Sequence, residues 1–303
     1  MKLDKYFRND RERAAFVLEC ESAFEAQLDT LCAGLTARPD LRIIALSGPT
    51  CSGKTTTAGK LTAELEAAGH DVHLISIDDF FKERDVLNRE AEMAGSKSPD
   101  YDSIKAIDFD LLAACTESIL RGDPTDLPHF DFKSGKRSRF DRVDPDDASI
   151  FIFEGIQAIY PEVRALLGDG CASVHISVAD DLEMNGVYFN RRDIRLMRRL
   201  VRDYKFRGAE PVFTFYLWRS VVMNEERSIT PYESGVELRI NSLMPYEVFL
   251  LKNELTSLLH TIPDNSLFYP KALEIEEKLS KLDTIPSSMV PPSSVLREFI
   301  GKD

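Results

Sequence analysis

Residues 41–57 read LRIIALSGPTCSGKTTT, an apolar run that breaks into glycine, lysine and threonine. The first six residues are continuously apolar but for Arg42, as a strand buried on both faces would be. Gly48 to Thr55 fits G-x-x-x-x-G-K-[ST], and residues 56–67 continue in a helical pattern. Strand, loop and helix in that order are the setting in which this spacing becomes a phosphate-binding loop, or P-loop. Glycine lets backbone N–H groups converge on phosphate oxygens with no Cβ in the way. The following helix presents its positive end to the anion. Lys54 can reach β- and γ-phosphates, and the Thr55 hydroxyl can ligate Mg²⁺. The expected nucleotide-binding stretch is Gly48, Pro49, Thr50, Cys51, Ser52, Gly53, Lys54, Thr55 and Thr56. Cys51 reads as a small filler within it.

Outward from this loop, residues 72–77, 150–153, 174–178 and 236–240 are further strand candidates, most of them separated by helical patterns. That rhythm predicts a parallel α/β sheet. Residues 1–38 carry Phe16, Cys20, Phe24, Leu28 and Leu31 at helical spacing and end at Pro39-Asp40. Residues 127–143, LPHFDFKSGKRSRFDRV, alternate around Ser134-Gly135-Lys136 and predict a hairpin. Residues 244–303 read as a helical appendix, with helices over 246–260 and 271–282 and a Pro/Ser-rich linker, PSSMVPPSS. A last apolar turn, VLREFI, places Val295, Leu296, Phe299 and Ile300 on one face that should pack back on the body. The expected division is a helical segment over 1–38, a nucleotide-binding domain over 39–243 and a C-terminal extension over 244–303.

The 303 residues carry a net charge of −13, so the surface as a whole should repel nucleic acid and anionic membrane, and an anion site must be built locally. No apolar run is long enough to span a bilayer. The five cysteines are odd in number and form no CxxC pair, which predicts reduced thiols in a cytoplasmic protein.

Two more stretches carry chemistry. Residues 75–82 read ISIDDFFK. Two adjacent carboxylates and two rings at a strand end mark either a surface turn or a place where a reacting hydroxyl needs a base beside an apolar wall. Ligands of doubly wound sheets sit beyond the carboxyl ends of the strands, so Asp78 is the expected base and Phe80 or Phe81 the wall. Asp79 should point elsewhere, because side chains of an extended chain alternate. The second stretch, RRDIRLMRRLVRDYKFR over 191–207, is basic in an acidic protein. Arg191, Arg195, Arg198, Arg199 and Arg202 share about a third of a helix circumference. Such a stripe is either a basic face neutralised by acidic neighbours or an arginine lid that closes over a transferring phosphoryl group. The guanine-reading N-K-x-D is absent, which argues against a GTPase.

The ordered set GPTCSGKTT, SIDDFFK, YDS…DFDLL, HFDFKSGKR, FIFEGIQAIY and RLMRRLVRDYKFRG resembles the uridine kinase branch of the phosphoribulokinase/uridine kinase family, over about residues 40–245. The resemblance implies a P-loop fold with a five-stranded parallel sheet and helices on both faces. It implies ATP and Mg²⁺ as cofactors and a nucleoside as substrate. Asp78 then matches the catalytic aspartate that activates the ribose 5′-hydroxyl, and Asp102, after Tyr101, the aspartate that holds the ribose hydroxyls. Phe81, Phe130 and Phe132 match rings that wall the nucleoside. Glu154 matches an acidic residue near the Mg²⁺ water ligands. Arg195 matches a substrate-side arginine, and Arg198, Arg199 and Arg202 lie in the lid region. Pyrimidine-specific relatives carry Tyr and His where this chain has Phe130 and Gly135, so base selection should be weak or come from elsewhere, such as Lys136 or the 84–100 loop.

The function expected is an ATP–Mg²⁺-dependent kinase of a nucleoside 5′-hydroxyl, with Lys54, Asp78, Arg199 and Arg202 in catalysis. The alternatives are a kinase of another small alcohol, such as a sugar phosphate or pantothenate, and a non-catalytic nucleotide-binding switch. A small molecule is the expected partner, and a homo-oligomer stays open.

Overall fold

The computed structural model describes residues 1–96 and 104–301. In chain order it holds β1 (Lys2–Leu3), α1 (Asp10–Thr36), β2 (Ile43–Ser47), α2 (Lys54–Ala67), β3 (Asp71–Ser76) and α3 (Arg84–Met93). Then come α4 (Phe109–Arg121), β4 (Thr125–Asp131), β5 (Lys136–Val143), β6 (Ser149–Glu154), α5 (Pro161–Leu167) and β7 (Ala172–Ser177). β8 (Leu182–Met184), β9 (Val187–Phe189), α6 (Arg191–Arg207), α7 (Pro211–Ser228) and β10 (Leu238–Asn241) follow. The C-terminal part is α8 (Glu247–Leu250), α9 (Lys252–Leu259), α10 (Tyr269–Ser280) and the short α11 (Arg297–Ile300).

Five strands form one parallel sheet in the order β10-β7-β2-β6-β3. The fully buried β2 shows why its sequence is a continuous apolar run. Ile44 and Leu46 face a core shared with α1, α2, α6 and the C-terminal helices, while Ile43 and Ala45 face a second core under α4 and α5. The sheet is thus doubly wound, the arrangement in which ligands sit beyond the carboxyl ends of the strands. The N-terminal helix and the last turn of the tail both contribute to the first core, through residues such as Phe24 and Phe299.

Local chemistry sets the remaining pieces. Asn185 and Gly186, both left-handed at φ 53° and 76°, close the small hairpin β8–β9, and β1 pairs in parallel with β8. The β4–β5 hairpin is antiparallel, with a register shift between His129 and Phe130. β3 ends at Ser76, and Ile77–Phe80 winds into a 3₁₀ turn, so the neighbouring carboxylates Asp78 and Asp79 lie on a helical turn and not on extended chain. The single helix expected over 246–260 is two helices that meet at Leu251. No helix among the described residues is long and apolar enough to cross a membrane.

Candidate functional site

The loop between β2 and α2 is packed too tightly for side chains at its glycines. At Gly48 a Cβ would lie 2.5 Å from the Ile176 carbonyl oxygen. Gly53 is left-handed at φ 85°, and a Cβ there would run into Val295 Cγ2. The tail therefore reaches the P-loop itself: Glu298 accepts a hydrogen bond from the Thr56 hydroxyl at 3.4 Å, and Phe299 lies under the Arg198 guanidinium at 5.2 Å. α2 opens with no side-chain cap, so its first N–H groups lack helical acceptors. The Ser52 hydroxyl is buried with no hydrogen-bond partner among the described residues. Uncapped donors and an orphaned buried hydroxyl at a helix N-terminus fit an anion such as phosphate. Burial pushes the Cys51 thiol up, which suits the filler role and not a reactive thiolate.

Lys54 Nζ lies 2.6 Å from Glu154 Oε2, and Glu154 Oε1 accepts from the Ser76 hydroxyl at 3.2 Å. One carboxylate at the end of β6 thus spans from the P-loop to the end of β3. Two residues on, Asp78 Oδ1 accepts from Gln157 Nε2 at 3.1 Å. Asp79 turns the other way, and its Oδ1 accepts the Phe130 N–H at 2.8 Å. Burial pushes the Asp79 carboxyl above its ordinary value, opposed by that N–H. The pair diverges as expected, but through the 3₁₀ turn and not through strand alternation. Among the described residues, no group of three or more His, Cys, Asp or Glu is arranged to hold a metal ion. Mg²⁺ ordinarily takes one or two protein ligands plus substrate phosphates, so the pair Thr55 and Glu154 is compatible with it.

Phe81, Phe130 and Phe132 meet edge to face, with centroids 5.3–6.4 Å apart. Phe81 and Phe130 are buried and Phe132 is exposed, as for a wall with one open rim. Phe80 is not part of it; it is buried in the core against Phe153. Tyr101 and Asp102 lie outside the described residues. Arg84 fills the room left at Gly135, where a Cβ would sit 2.6 Å from Arg84 Cβ. Its side chain donates to the carbonyls of Phe132 and Lys133 at 2.5 and 3.3 Å.

Four of the five arginines on one face of α6 are not solvated: Arg195, Arg198, Arg199 and Arg202 are buried, while Arg191 is exposed. Arg195 pairs with Glu225 and donates to the Thr50 carbonyl at 2.9 Å. It therefore touches the P-loop, where the resemblance implied the substrate side. Arg198 makes a two-pronged pair with Glu247 at 2.6 and 2.8 Å and donates to the Cys51 carbonyl. Arg199 and Arg202 share Asp203 at 3.1 and 2.7 Å. Arg199 also lines a cavity of about 210 Å³ with Thr50, Tyr160 and Asn224. A larger cleft of about 520 Å³, around Arg164, Cys171 and Glu237, lies at the amino ends of β7 and β10, away from this chemistry. Sequence reasoning missed Gln157, Glu225, Glu247 and Glu298. Gln157 and Glu298 stand in stretches already singled out, FIFEGIQAIY and VLREFI, but nothing in the sequence marks either as polar machinery, and each of the four acts through a partner far away in the chain.

Comparison with known proteins bears on the family and the fold. Uridine-cytidine kinase C of Dictyostelium discoideum is 28% identical over 169 residues, which is 56% of this chain and 31% of that protein. The uridine kinase of Schizosaccharomyces pombe is 34% identical over 179 residues, 57% of this chain and 34% of that protein. The uridine kinase of Staphylococcus epidermidis is 32% identical over 177 residues, 58% of this chain and 75% of that protein. The match thus spans about a third of the length of the first two relatives. Among solved structures, a candidate fructose transport system kinase from Silicibacter sp. TM1040 has a TM-score of 0.50 at 21% identity, over 70% of this chain and 98% of that one, a likeness of fold. A family model matches residues 43–246, two thirds of the sequence, and by that match the chain belongs to the phosphoribulokinase/uridine kinase family.

Proposed function

We propose that the chain is an ATP- and Mg²⁺-dependent kinase that transfers the γ-phosphoryl group of ATP to the 5′-hydroxyl of a nucleoside. The observation that carries this reading is the junction at Glu154, which touches Lys54 of the P-loop and Ser76, two residues before Asp78. A phosphate cradle and an acceptor-side carboxylate share one edge of the sheet, as in-line transfer between two bound reactants requires. The likeness to uridine kinases supports the acceptor class.

Ser52, Lys54, Thr55, Thr56 and the loop N–H groups hold the triphosphate. Thr55 and Glu154 would hold Mg²⁺, which would supply positive charge against the phosphates. Asp78 accepts the proton of the acceptor hydroxyl as that oxygen bonds to the γ-phosphorus. The bond from phosphorus to the β–γ bridging oxygen breaks, ADP leaves with its electron pair, and Asp78 returns its proton to water. Phe81, Phe130 and Phe132 hold the nucleoside in register. Arg199 and Arg202 stabilise the charge that develops on the transferring group.

A coupled ADP-release assay against nucleosides and other small alcohols tests the proposal. Nucleoside-dependent release supports it. Release with a sugar phosphate or pantothenate alone moves the acceptor class. ATP binding without release for any acceptor would make the protein a nucleotide-binding switch.

A further inference from the structure

β3 and β6 are neighbours in register, with Ser76 opposite Glu154, and each runs directly into a 3₁₀ turn, Ile77–Phe80 and Ile156–Ile159. The two turns therefore lie side by side at the carboxyl edge, and they approach closely. At Gly155, a Cβ would lie 3.0 Å from Gln157 Oε1 and 3.0 Å from Ile77 Cβ. Across this contact the Gln157 amide donates to Asp78 Oδ1 at 3.1 Å.

Gln157 is 2% exposed, yet its Oε1 is buried with no hydrogen-bond partner among the described residues. An apolar side chain of the same length would fill this place without stranding a polar atom. A buried amide that is half unsatisfied costs folding free energy, so what it keeps in return is its one bond, to Asp78. That bond is aimed at the carboxylate on which the proposed phosphoryl transfer depends. Asp79, the neighbour, is already committed to the Phe130 N–H.

We propose that Gln157 is the positioning residue of the acceptor base: its amide fixes one oxygen of Asp78, so that the other is presented to the incoming hydroxyl. This inference rests on the assignment of Asp78 as the base. Gln157 itself exchanges no proton and touches no reactant.

The test is a double-mutant cycle on the full chain, read as kcat and KM in the nucleoside kinase assay. Gln157→Leu should lower kcat by about 10- to 100-fold, the rate equivalent of a hydrogen bond to a charged group, while KM for ATP stays within about twofold. In an Asp78→Asn background the same substitution should change kcat by less than about twofold, because residues that act as a unit are non-additive. Gln157→Met, which keeps the length and loses the donor without adding a charge, should repeat the pattern if Gln157→Leu folds poorly. An equal loss in both backgrounds, or no loss in the wild-type background, overturns the positioning role while the base assignment stands. Wild-type turnover in Asp78→Asn alone overturns the base assignment, and the positioning role with it.

Discussion

The P-loop side and the hairpin side of the cleft are held together by different forces. On the P-loop side, each cation has a resident carboxylate: Lys54 has Glu154, Arg195 has Glu225, Arg198 has Glu247, and Arg199 and Arg202 have Asp203. The arginine pairs are buried, so breaking one strands a charge in low dielectric. On the hairpin side, a two-stranded ribbon meets the body through three aromatic rings, the Asp79–Phe130 bond, Arg84 and one half-buried ion pair, Arg137 with Asp108 at 2.5 Å, and much of β5 faces solvent. Buried ion pairs fix the first half, the side proposed to hold the triphosphate; ring contacts and a single half-buried pair shape the second, the side proposed to take the acceptor. Substitutions on the two sides should therefore fail differently, in rate and fold on one and in selectivity on the other.

The largest expected effect is on the P-loop side. Lys54→Ala should fold and lose at least ~10³-fold in kcat, the low end for a charge that stabilises a transferring phosphoryl group. Arg199→Ala should lose a similar factor with the acceptor KM unmoved. ADP release at near-normal rate in either variant breaks the contrast.

Next in size is Arg198→Ala, which leaves the fully buried Glu247 unpaired and should cost about 3–5 kcal/mol in denaturant unfolding. Arg84→Ala on the hairpin side should cost only about 1 kcal/mol, since it loses bonds to exposed carbonyls. Equal losses would mean that the two sides are not built differently.

Acidity separates the sides by sign. His175 bonds Ser47 at 2.9 Å beneath the P-loop, and burial, then Arg239 and Arg195, push its pKa down to about 4. The folded state resists its protonation, so its stability contribution is full above about pH 6.5 and is lost as pH falls toward about 4. At about 1.4 kcal/mol per pH unit the window is worth roughly 3 kcal/mol. His175→Gln should flatten the fall in melting temperature over that window. Asp79 runs opposite: its raised pKa means that its contribution is present at low pH and is lost as pH rises through the carboxylate range.

A smaller kinetic effect, ~10²-fold in kcat at constant ATP affinity, is expected for Asp78→Asn, with Asp79→Asn much milder. Equal losses at both would mean that the carboxylates act jointly, most simply on the metal. The smallest effect belongs to the base. With Phe130 and Gly135 offering no side-chain hydrogen bond, kcat/KM should vary by less than about 10²-fold between uridine and purine nucleosides. A preference near 10⁴ would reveal a polar reader of the base edge.

The P-loop and the strand–helix rhythm were legible because both are local: a fixed spacing, and runs of apolar residues whose period names the element. The divergence of Asp78 from Asp79 was legible in outcome, while its cause, a 3₁₀ turn after Ser76, leaves no periodic trace in four residues. The arginine stripe was legible as a face but not as a buried one. Its partners Glu225 and Glu247 lie 30 and 49 residues downstream, and pairing across such distances leaves no pattern in the chain. Arg84 illustrates the same limit, because the loss of a side chain at Gly135 reads as an absence until the guanidinium that fills the gap is seen.

The closure of Val295 and Glu298 over Gly53 and Thr56 has a consequence for synthesis. Thr56 and Glu298 are 242 positions apart. At about 5–20 residues per second, roughly 10–50 s pass on the ribosome between the making of the loop and the arrival of the residues that cover it. Throughout that interval Gly53 lacks the valine packed against it, and Arg198, once made, lacks the ring beneath it. The nucleotide loop therefore reaches its final form late, and a polypeptide released before residue 295 would carry every motif of the loop without its finished shape.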